Sequence, residues 1–147
     1  YFAHFARATL IFETPLTLFA GFVLDKKHQN GLDIKKGAIF PIVHGIRSLA
    51  LEKGIDETNT LDRIKALNND GYFDREFASE LIEAFTFLLT LRLKLQLQKI
   101  EQKKAPDNFL NPMELSKFER DLLRDVLKLV DKLKKQITYH FKLNMVS

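Results

Sequence analysis

Residues 91–100, LRLKLQLQKI, alternate between apolar and polar side chains, a pattern that suits either a half-buried strand or a helix. A helix is favoured, because Leu, Arg, Lys and Gln are strong helix formers and no β-branched residue precedes Ile100. Without an intervening turn, the stretch continues an apolar series of helical spacing: Phe77, Leu81, Phe85 and Leu88. Residues 74–104 contain neither Gly nor Pro, and Pro106 follows them. We therefore predict one long helix here and essentially no sheet.

A helix over residues 91–100 would be apolar on two sides. At about 100° per residue, Leu91 and Leu95 lie on one side. The nearly opposite side is formed by Leu93, Leu97 and Ile100. This arrangement is typical of a central member of a helical bundle, so we expect both sides to be covered by neighbouring helices.

A polar ridge separates these two sides and consists of Arg92, Gln96, Lys99 and Lys103. It suits either a solvated seam or a groove in which Arg92 and Gln96, one turn apart, point together at a ligand. Arginine would suit a phosphate or a carboxylate, because its planar guanidinium donates two parallel hydrogen bonds. The pattern alone leaves both interpretations open.

Most of the remaining segments are also predicted to be helical. Residues 1–12 have aromatic residues at helical spacing before Pro15, and Pro41 is placed to open a helix that ends near Gly54. Residues 58–69 begin with cap-like threonine and asparagine and end in Asn-Asp-Gly. Residues 16–24 are of undefined type, and residues 25–31 suggest a polar turn. The predicted fold is all-α, an up-and-down bundle of four to six helices.

The final helix has the clearest start. Ser116, followed three residues later by Glu119, is a capping-box signature, and we expect the helix to run to about Leu143. Its amphipathic stripe is formed by Phe118, Leu122, Val126, Leu129, Leu133 and Ile137. The densest basic patch, residues 128–135 (KLVDKLKK), would lie in the last turns, where cations complement the helix dipole.

Composition limits the class of protein. A chain of 147 residues is expected to form one domain, and its lack of cysteine excludes disulfides and thiolate metal sites and favours a cytoplasmic location. No apolar run reaches the roughly 18 residues that suggest a membrane span. The net charge of +4 is modest and lacks an aromatic-interleaved basic motif, so nucleic acid is not favoured as a partner. Because the chain begins at Tyr1, we expect it to be a piece of a longer protein.

The sequence offers few residues for catalysis. Its four histidines lack metal-ligand spacing, and no glycine-rich phosphate loop is present. An Asp-x-Asp pair of the kind that holds magnesium for nucleotidyl transfer is also missing. We therefore predict that the isolated chain is inactive. His44 is expected to be a packed or hydrogen-bonded residue rather than a ligand.

One segment, LDIKKGAIFPI, has the features of an anion site. It places Asp33, Lys35 and Lys36 directly before Gly37, where a helix begins. Gly37 would let the backbone approach a ligand, and two lysines beside free helix amides would suit phosphate. The alternative is a turn with solvated lysines.

Five ordered blocks carry a resemblance to a known family: LDIKKGAIFPIVHGIRSLALEKGI, TNTLDRIKAL, LIEAFTFLLTLRLKLQLQKI, PDNFLNP and LSKFERDLLRDVLKLV. Over residues 16–140 the chain closely resembles nucleotidyltransferase substrate-binding domains, the DUF294 C-terminal family. In that family the helical domain typically follows a catalytic nucleotidyltransferase domain, with CBS domains further upstream, in predicted signal-transduction proteins. The Lys-Lys-Gly block also resembles a glycine-rich segment of the uridylyl- and adenylyltransferases of nitrogen signalling.

The resemblance implies a set of substrate-binding positions and no catalytic ones. They are Asp33, Lys35, Lys36, Gly37, Arg47, Asn59, Arg92, Gln96 and Asn108. The chain departs from the family at two positions, with Ala38 in place of a second glycine and His44 in place of an acidic residue. The first change restricts backbone approach, and the second removes a partner for Arg47.

We therefore expect residues 1–147 to be a single helical substrate-binding domain, the C-terminal part of a longer protein. It would position a nucleotide or another anionic substrate for the upstream catalytic domain, where Mg²⁺ would bind. We further expect Lys36, Arg47 and Arg92 to converge on one concave surface. The alternative is a regulatory or dimerisation module, such as a homodimer, that binds protein and no nucleotide.

Overall fold

The computed structural model describes residues 2–16, 21–25 and 31–142. The α-helices among them are α1 (Phe2–Arg7), α2 (Phe40–Glu52), α3 (Thr60–Asn69), α4 (Arg75–Glu101) and α5 (Lys117–Phe141). Two short strands, β1 (Leu32–Asp33) and β2 (Phe109–Leu110), pair antiparallel, with Leu32 opposite Leu110. The all-α fold class is confirmed.

The long helix predicted from residues 74–104 is confirmed as α4. Asp74 caps its start by accepting a 2.7 Å hydrogen bond from the Phe77 amide. Its inward residues are buried: Phe77, Leu81, Phe85, Leu88, Leu91 and Leu95. The helix ends just before Lys103, which adopts a left-handed conformation with φ 58°.

The second apolar side of α4 is not covered. Leu93, Leu97 and Ile100 are each more than half exposed, at 57%, 52% and 57%. The prediction that both sides would be covered is therefore wrong, and α2 is the helix that contacts α1, α3 and α5. Periodicity shows which residues share a side of a helix, but not whether another element covers that side.

Helix α5 confirms the capping box. The Ser116 hydroxyl accepts from the Glu119 amide at 3.1 Å, and the Glu119 carboxylate accepts from the Ser116 amide at 3.2 Å. Lys142 ends the helix in a left-handed conformation, one residue before the predicted end. Of the predicted stripe, Val126, Leu133 and Ile137 are buried.

The predicted amphipathic stripe is not buried at its start, because its first residue, Phe118, is 78% exposed. The basic patch of residues 128–135 also lies in the middle of α5 rather than in its last turns. The dipole explanation for that patch is therefore wrong, since the dipole acts mainly within the terminal turn.

A widened turn precedes α2. Lys35–Ile39 form a π-helical turn in which the Phe40 amide donates to the Lys35 carbonyl. Pro41 supplies the physical reason, because a proline ring clashes with the carbonyl four residues earlier and cannot donate a hydrogen bond there. The helix ends at Glu52, two residues before Gly54, whose φ is +69°, and this agrees with the predicted end near Gly54.

The first segment is helical in part, since a 3₁₀ turn, Ala8–Leu10, follows α1. Most of the predicted polar turn and part of the undefined segment lie outside the described residues, namely residues 26–30 and 17–20. Isolated bridges join Leu16 to Phe22 and Asp25 to Gly31. Within the described part of the chain, no helix combines the length and hydrophobicity needed to cross a membrane.

Candidate functional site

The candidate site lies where the π-helical turn meets the strand pair and α4. β1 runs directly into this turn, and its pairing with β2 brings Asp33 opposite Phe109. The Ile34 amide extends the pairing by donating to the Asn108 carbonyl at 3.0 Å. Residues 33–34 and residues 108–109, far apart in sequence, are therefore held side by side.

Arg92 is fixed to this junction by its side chain. Its Nε donates to the Oδ1 atom of Asn108 at 2.8 Å, and both residues are half-buried. No acceptor for the two terminal guanidinium nitrogens is found among residues 2–16, 21–25 and 31–142. Asn108 thus orients Arg92, and the terminal N–H groups of Arg92 stay available for a planar anion.

The polar ridge of α4 is partly paired with the segment that precedes β2. Besides the Arg92–Asn108 contact, Lys99 forms an ion pair with Asp107 and donates to the Phe109 carbonyl at 3.3 Å. Gln96 lies between these contacts and is half-buried. Residues 107–109 therefore cover part of this ridge, and a groove in which Arg92 and Gln96 bind a ligand stays a prediction.

The start of the π-helical turn has fewer free amides than expected. Asp33 Oδ1 accepts from the Lys36 amide at 2.9 Å, and the Ile34 amide is bonded to Asn108. The expectation of free amides is therefore wrong for these two positions. Lys35 and Lys36 keep exposed side chains, and the Lys36 ammonium lies 5.4 Å from the centre of the Phe12 ring.

Gly37 is buried and approaches another part of the chain. A Cβ atom built on it would lie 2.9 Å from Cδ and 3.2 Å from Cγ of Pro15. The absence of a side chain at this position is therefore explained by packing against Pro15, whereas the sequence had suggested backbone approach to a ligand.

Arg47 belongs to a row of aromatic and basic side chains along α2. Its guanidinium lies 5.5 Å from the centre of the Phe5 ring, and His44 stacks between Phe5 and Phe40 at 4.6 and 5.4 Å. The Nε2 atom of His44 donates to the Phe5 carbonyl at 2.7 Å, which confirms the expected packed histidine.

Lys36 and Arg47 therefore share one side of the α2 region without being close together. Eleven residues separate them, which corresponds to about 16 Å along a helix. Arg92 is bonded instead to Asn108, whose carbonyl accepts from the Ile34 amide. Convergence of all three residues on one ligand stays a prediction.

Asn59 has a structural role at the start of α3. Its Oδ1 accepts from the Asp62 amide at 2.9 Å, and its Nδ2 donates to the Asp62 carboxylate at 2.6 Å. This is the arrangement of an N-cap, and it uses both ends of the amide. Asn59 has no described contact with the Arg92 and Asn108 junction.

A groove between the N-terminal segment and α5 was not predicted from the sequence. Its volume is about 790 Å³, and its lining includes Leu10, Glu13, Thr14, Leu16, Lys128, Asp131, Lys132, Lys134, Lys135 and Thr138. Lys134 is buried, and its desolvation lowers the pKa of the ammonium below the ordinary value of 10.5. The sequence signal for this groove is the lysine-rich run at residues 128–135, which lies in the middle of α5 and not in its last turns.

Residues 2–16, 21–25 and 31–142 contain no group of three or more histidine or acidic side chains placed to hold a metal ion.

The fold and the Arg92 junction define an all-α bundle with a polar site built between its helices. The chain belongs to the DUF294 C-terminal family, described as "Putative nucleotidyltransferase substrate binding domain", whose sequence profile matches residues 1–141. The resemblance seen in the sequence is thereby confirmed.

One curated relative matches a shorter stretch of the chain. Over 64 residues the chain is 39% identical to the bifunctional glutamine synthetase adenylyltransferase/adenylyl-removing enzyme of Corynebacterium diphtheriae. The matched stretch is 44% of this chain and 6% of that enzyme, so the chain corresponds to a small part of its relative. No solved structure matches the chain.

Proposed function

We propose that this chain binds a nucleotide or another anionic substrate and positions it for a nucleotidyltransferase catalytic domain of the same protein. Membership of the family supports a substrate-binding role. The observation that carries the proposed site is the connection from Arg92 through Asn108 to the Ile34 amide, which joins α4 to the start of the α2 region.

The chemistry of the junction suits a phosphate group. Arg92 is oriented through Nε, so its terminal N–H groups would donate two parallel hydrogen bonds to phosphate oxygens. Lys35 and Lys36, exposed on the adjoining turn, would add positive charge, and Gln96 lies one turn from Arg92 on the same ridge. Orientation of the arginine before binding reduces the entropy lost when the ligand is held.

The rest of the proposal concerns the whole protein. The catalytic domain would precede this chain and would hold the Mg²⁺ that activates the nucleotide phosphates. CBS domains further upstream would make the protein a cytoplasmic signal-transduction enzyme. Adenylyl transfer is the reaction named for the Corynebacterium relative, so ATP is the first ligand to test.

The test is a titration of the chain with ATP, followed by backbone amide shifts in NMR spectra. We expect shifts around residues 34–36, 92 and 108. Loss of a charged hydrogen-bond partner costs about 1.5–3 kcal/mol, so Arg92→Gln should weaken binding by roughly tenfold or more. Arg92→Lys should also weaken it, because an ammonium cannot form the paired contact.

Arg63→Gln is the matched control. Arg63 is likewise half-buried and donates through Nε to a backbone carbonyl, that of Glu57, at 2.8 Å. Its replacement should leave ATP affinity within about twofold, since a change of that size is near 0.4 kcal/mol. Equal losses in the two variants, or no ATP-dependent shift in the unchanged chain, would rule out the Arg92 site.

A second candidate function, a protein-binding or dimerisation module, is favoured by the exposed side of α4. Leu93, Leu97 and Ile100 form an apolar stripe there, and such stripes often mark interaction surfaces. Analytical ultracentrifugation distinguishes the two functions. Concentration-dependent assembly that Leu93→Gln and Leu97→Gln abolish, without any ATP-dependent shift, would favour this second function.

A further inference from the structure

The groove between residues 10–16 and α5 gathers lysines around a partly buried floor. From the geometry of this groove we propose a second binding site, one that takes a small phosphorylated ligand. The site lies apart from Arg92 and Asn108, because none of the residues of that junction is among the lining residues named above. The proposal therefore does not depend on the substrate site described under Proposed function.

Lys134 forms the floor of the groove and is only 7% exposed. Its ammonium donates to the Phe12 carbonyl at 2.5 Å and to the Thr14 hydroxyl at 3.2 Å. An ammonium has three N–H donors, and no third acceptor is found in the described part of the chain. A ligand oxygen in the groove would supply that acceptor.

The walls carry an excess of positive charge. Lys128 and Lys135 accompany Lys134, whereas Asp131 and Glu13 are the carboxylates of the lining. Lys132 also lines the groove, but its ammonium lies 5.1 Å from the centre of the Phe77 ring on α4. Asp131 is paired with the Lys135 ammonium at 3.1 Å, so much of its charge is balanced within the wall. Lysine ammonium groups are compact point charges that bind phosphate. An anion is therefore favoured over a cation.

Size and polarity indicate a small molecule. The volume of about 790 Å³ falls in the range of small-ligand pockets. Leu10 and Leu16 add an apolar wall opposite α5, which would accept the non-phosphate part of the ligand. A phosphate ester of nucleotide size or smaller matches this combination better than a long polyanion, which would need an extended basic track.

The first test uses inorganic pyrophosphate as the probe in isothermal titration calorimetry, at about 50 mM salt so that screening is weak. Lys135→Gln should weaken pyrophosphate binding by about fivefold, which corresponds to roughly 1 kcal/mol. Lys117→Gln is the matched control, because both lysines lie on α5 and pair with an aspartate one turn away. Lys117 pairs with Asp121, four residues later, and Lys135 pairs with Asp131, four residues earlier. We expect the control to bind as tightly as the unchanged chain.

A second measurement requires no substitution. The side-chain Cε signal of Lys134, followed by NMR in the full chain, should move as pyrophosphate is added and should stay fixed when sodium chloride replaces it. ADP should compete with pyrophosphate if the groove accepts an ester.

Three results would overturn the proposal. Absence of pyrophosphate binding would do so, as would equal weakening by Lys135→Gln and Lys117→Gln. Binding that leaves the Lys134 signal unmoved would place the anion elsewhere. Loss of ATP binding in Arg92→Gln with pyrophosphate binding retained would support two separate sites.

Discussion

Pro15 packs against Gly37 so closely that a Cβ atom on the glycine would lie 2.9 Å from the proline Cδ. This contact joins the N-terminal segment to the π-helical turn before α2. Lys134 holds the same segment from the other side by donating to the Phe12 carbonyl. Residues 12–15 are therefore fixed between the candidate substrate site and the lysine groove.

Gly37→Ala should destabilise the chain. In an ordinary helix this change stabilises by up to about 1 kcal/mol, but here the methyl group meets a rigid ring, and overpacking costs about 1–3 kcal/mol. Urea unfolding followed by circular dichroism measures the difference. In a Pro15→Ala background the ring is absent and the same change should cost less. Equal costs in both backgrounds would contradict the packing explanation.

Two leucines of the stretch LRLKLQLQ should respond very differently to truncation. Leu95 is 4% exposed and Leu97 is 52% exposed. Leu95→Ala should therefore lower the free energy of unfolding by about 2–5 kcal/mol, whereas Leu97→Ala should change it by about 0.5 kcal/mol or less. Similar losses in the two variants, measured by urea unfolding, would mean that the outward side of α4 is covered after all.

Local chemistry explains why most of the fold could be predicted. The absence of Gly and Pro from residues 74–104 predicted α4, and the spacing of Ser116 and Glu119 predicted the start of α5. Both predictions succeed because helix breaking and helix capping act within a few residues. Coverage of Leu93 could not be predicted in the same way. It depends on which elements pack around α4, a property of the whole chain.

The candidate site could be predicted only in outline. Family resemblance selected both Arg92 and Asn108, but their hydrogen bond spans 16 residues and depends on the pairing of β1 with β2. Gly37 illustrates a different limit, because a glycine needed for contact with Pro15 looks the same in sequence as one needed for a ligand. The burial of Lys134 could likewise not be predicted, because the lysines of residues 128–135 look alike in sequence.

The purified chain should not transfer nucleotides in the presence of Mg²⁺ and any common nucleoside triphosphate. The sequence has no Asp-x-Asp pair to hold the metal, and this prediction follows from that absence. Release of pyrophosphate from ATP, UTP, GTP and CTP is the measurement. Turnover that disappears when one residue of this chain is replaced would contradict the substrate-binding role.

Lys134 should make the free energy of unfolding depend on pH in the alkaline range. Burial lowers the pKa of its ammonium in the folded chain below 10.5, while Asp131 and Glu13 act in the opposite direction. Between the lowered pKa and 10.5, the unfolded chain binds more protons at this position than the folded chain. The contribution of Lys134 to the free energy of unfolding therefore rises with pH. The cost of burying the charged ammonium is fully present below the folded-state pKa and is relieved as the pH rises above it.

Lys134→Met isolates this contribution, because methionine keeps an unbranched side chain but cannot titrate. The free energy of unfolding of the unchanged chain, minus that of the variant, should increase as the pH rises toward the ordinary lysine pKa of 10.5. Burial and Glu52 raise the pKa of Tyr72, which lowers the free energy of unfolding as pH rises through the tyrosine range. Tyr72 is present in both chains, so its effect cancels in the difference. The variant also lacks the hydrogen bonds of Lys134 to Phe12 and Thr14. Their loss shifts the difference in free energy of unfolding by a largely constant amount while the ammonium stays charged. A difference that falls with pH, or stays flat across the whole range, would show that the folded chain does not disfavour the charged form of Lys134.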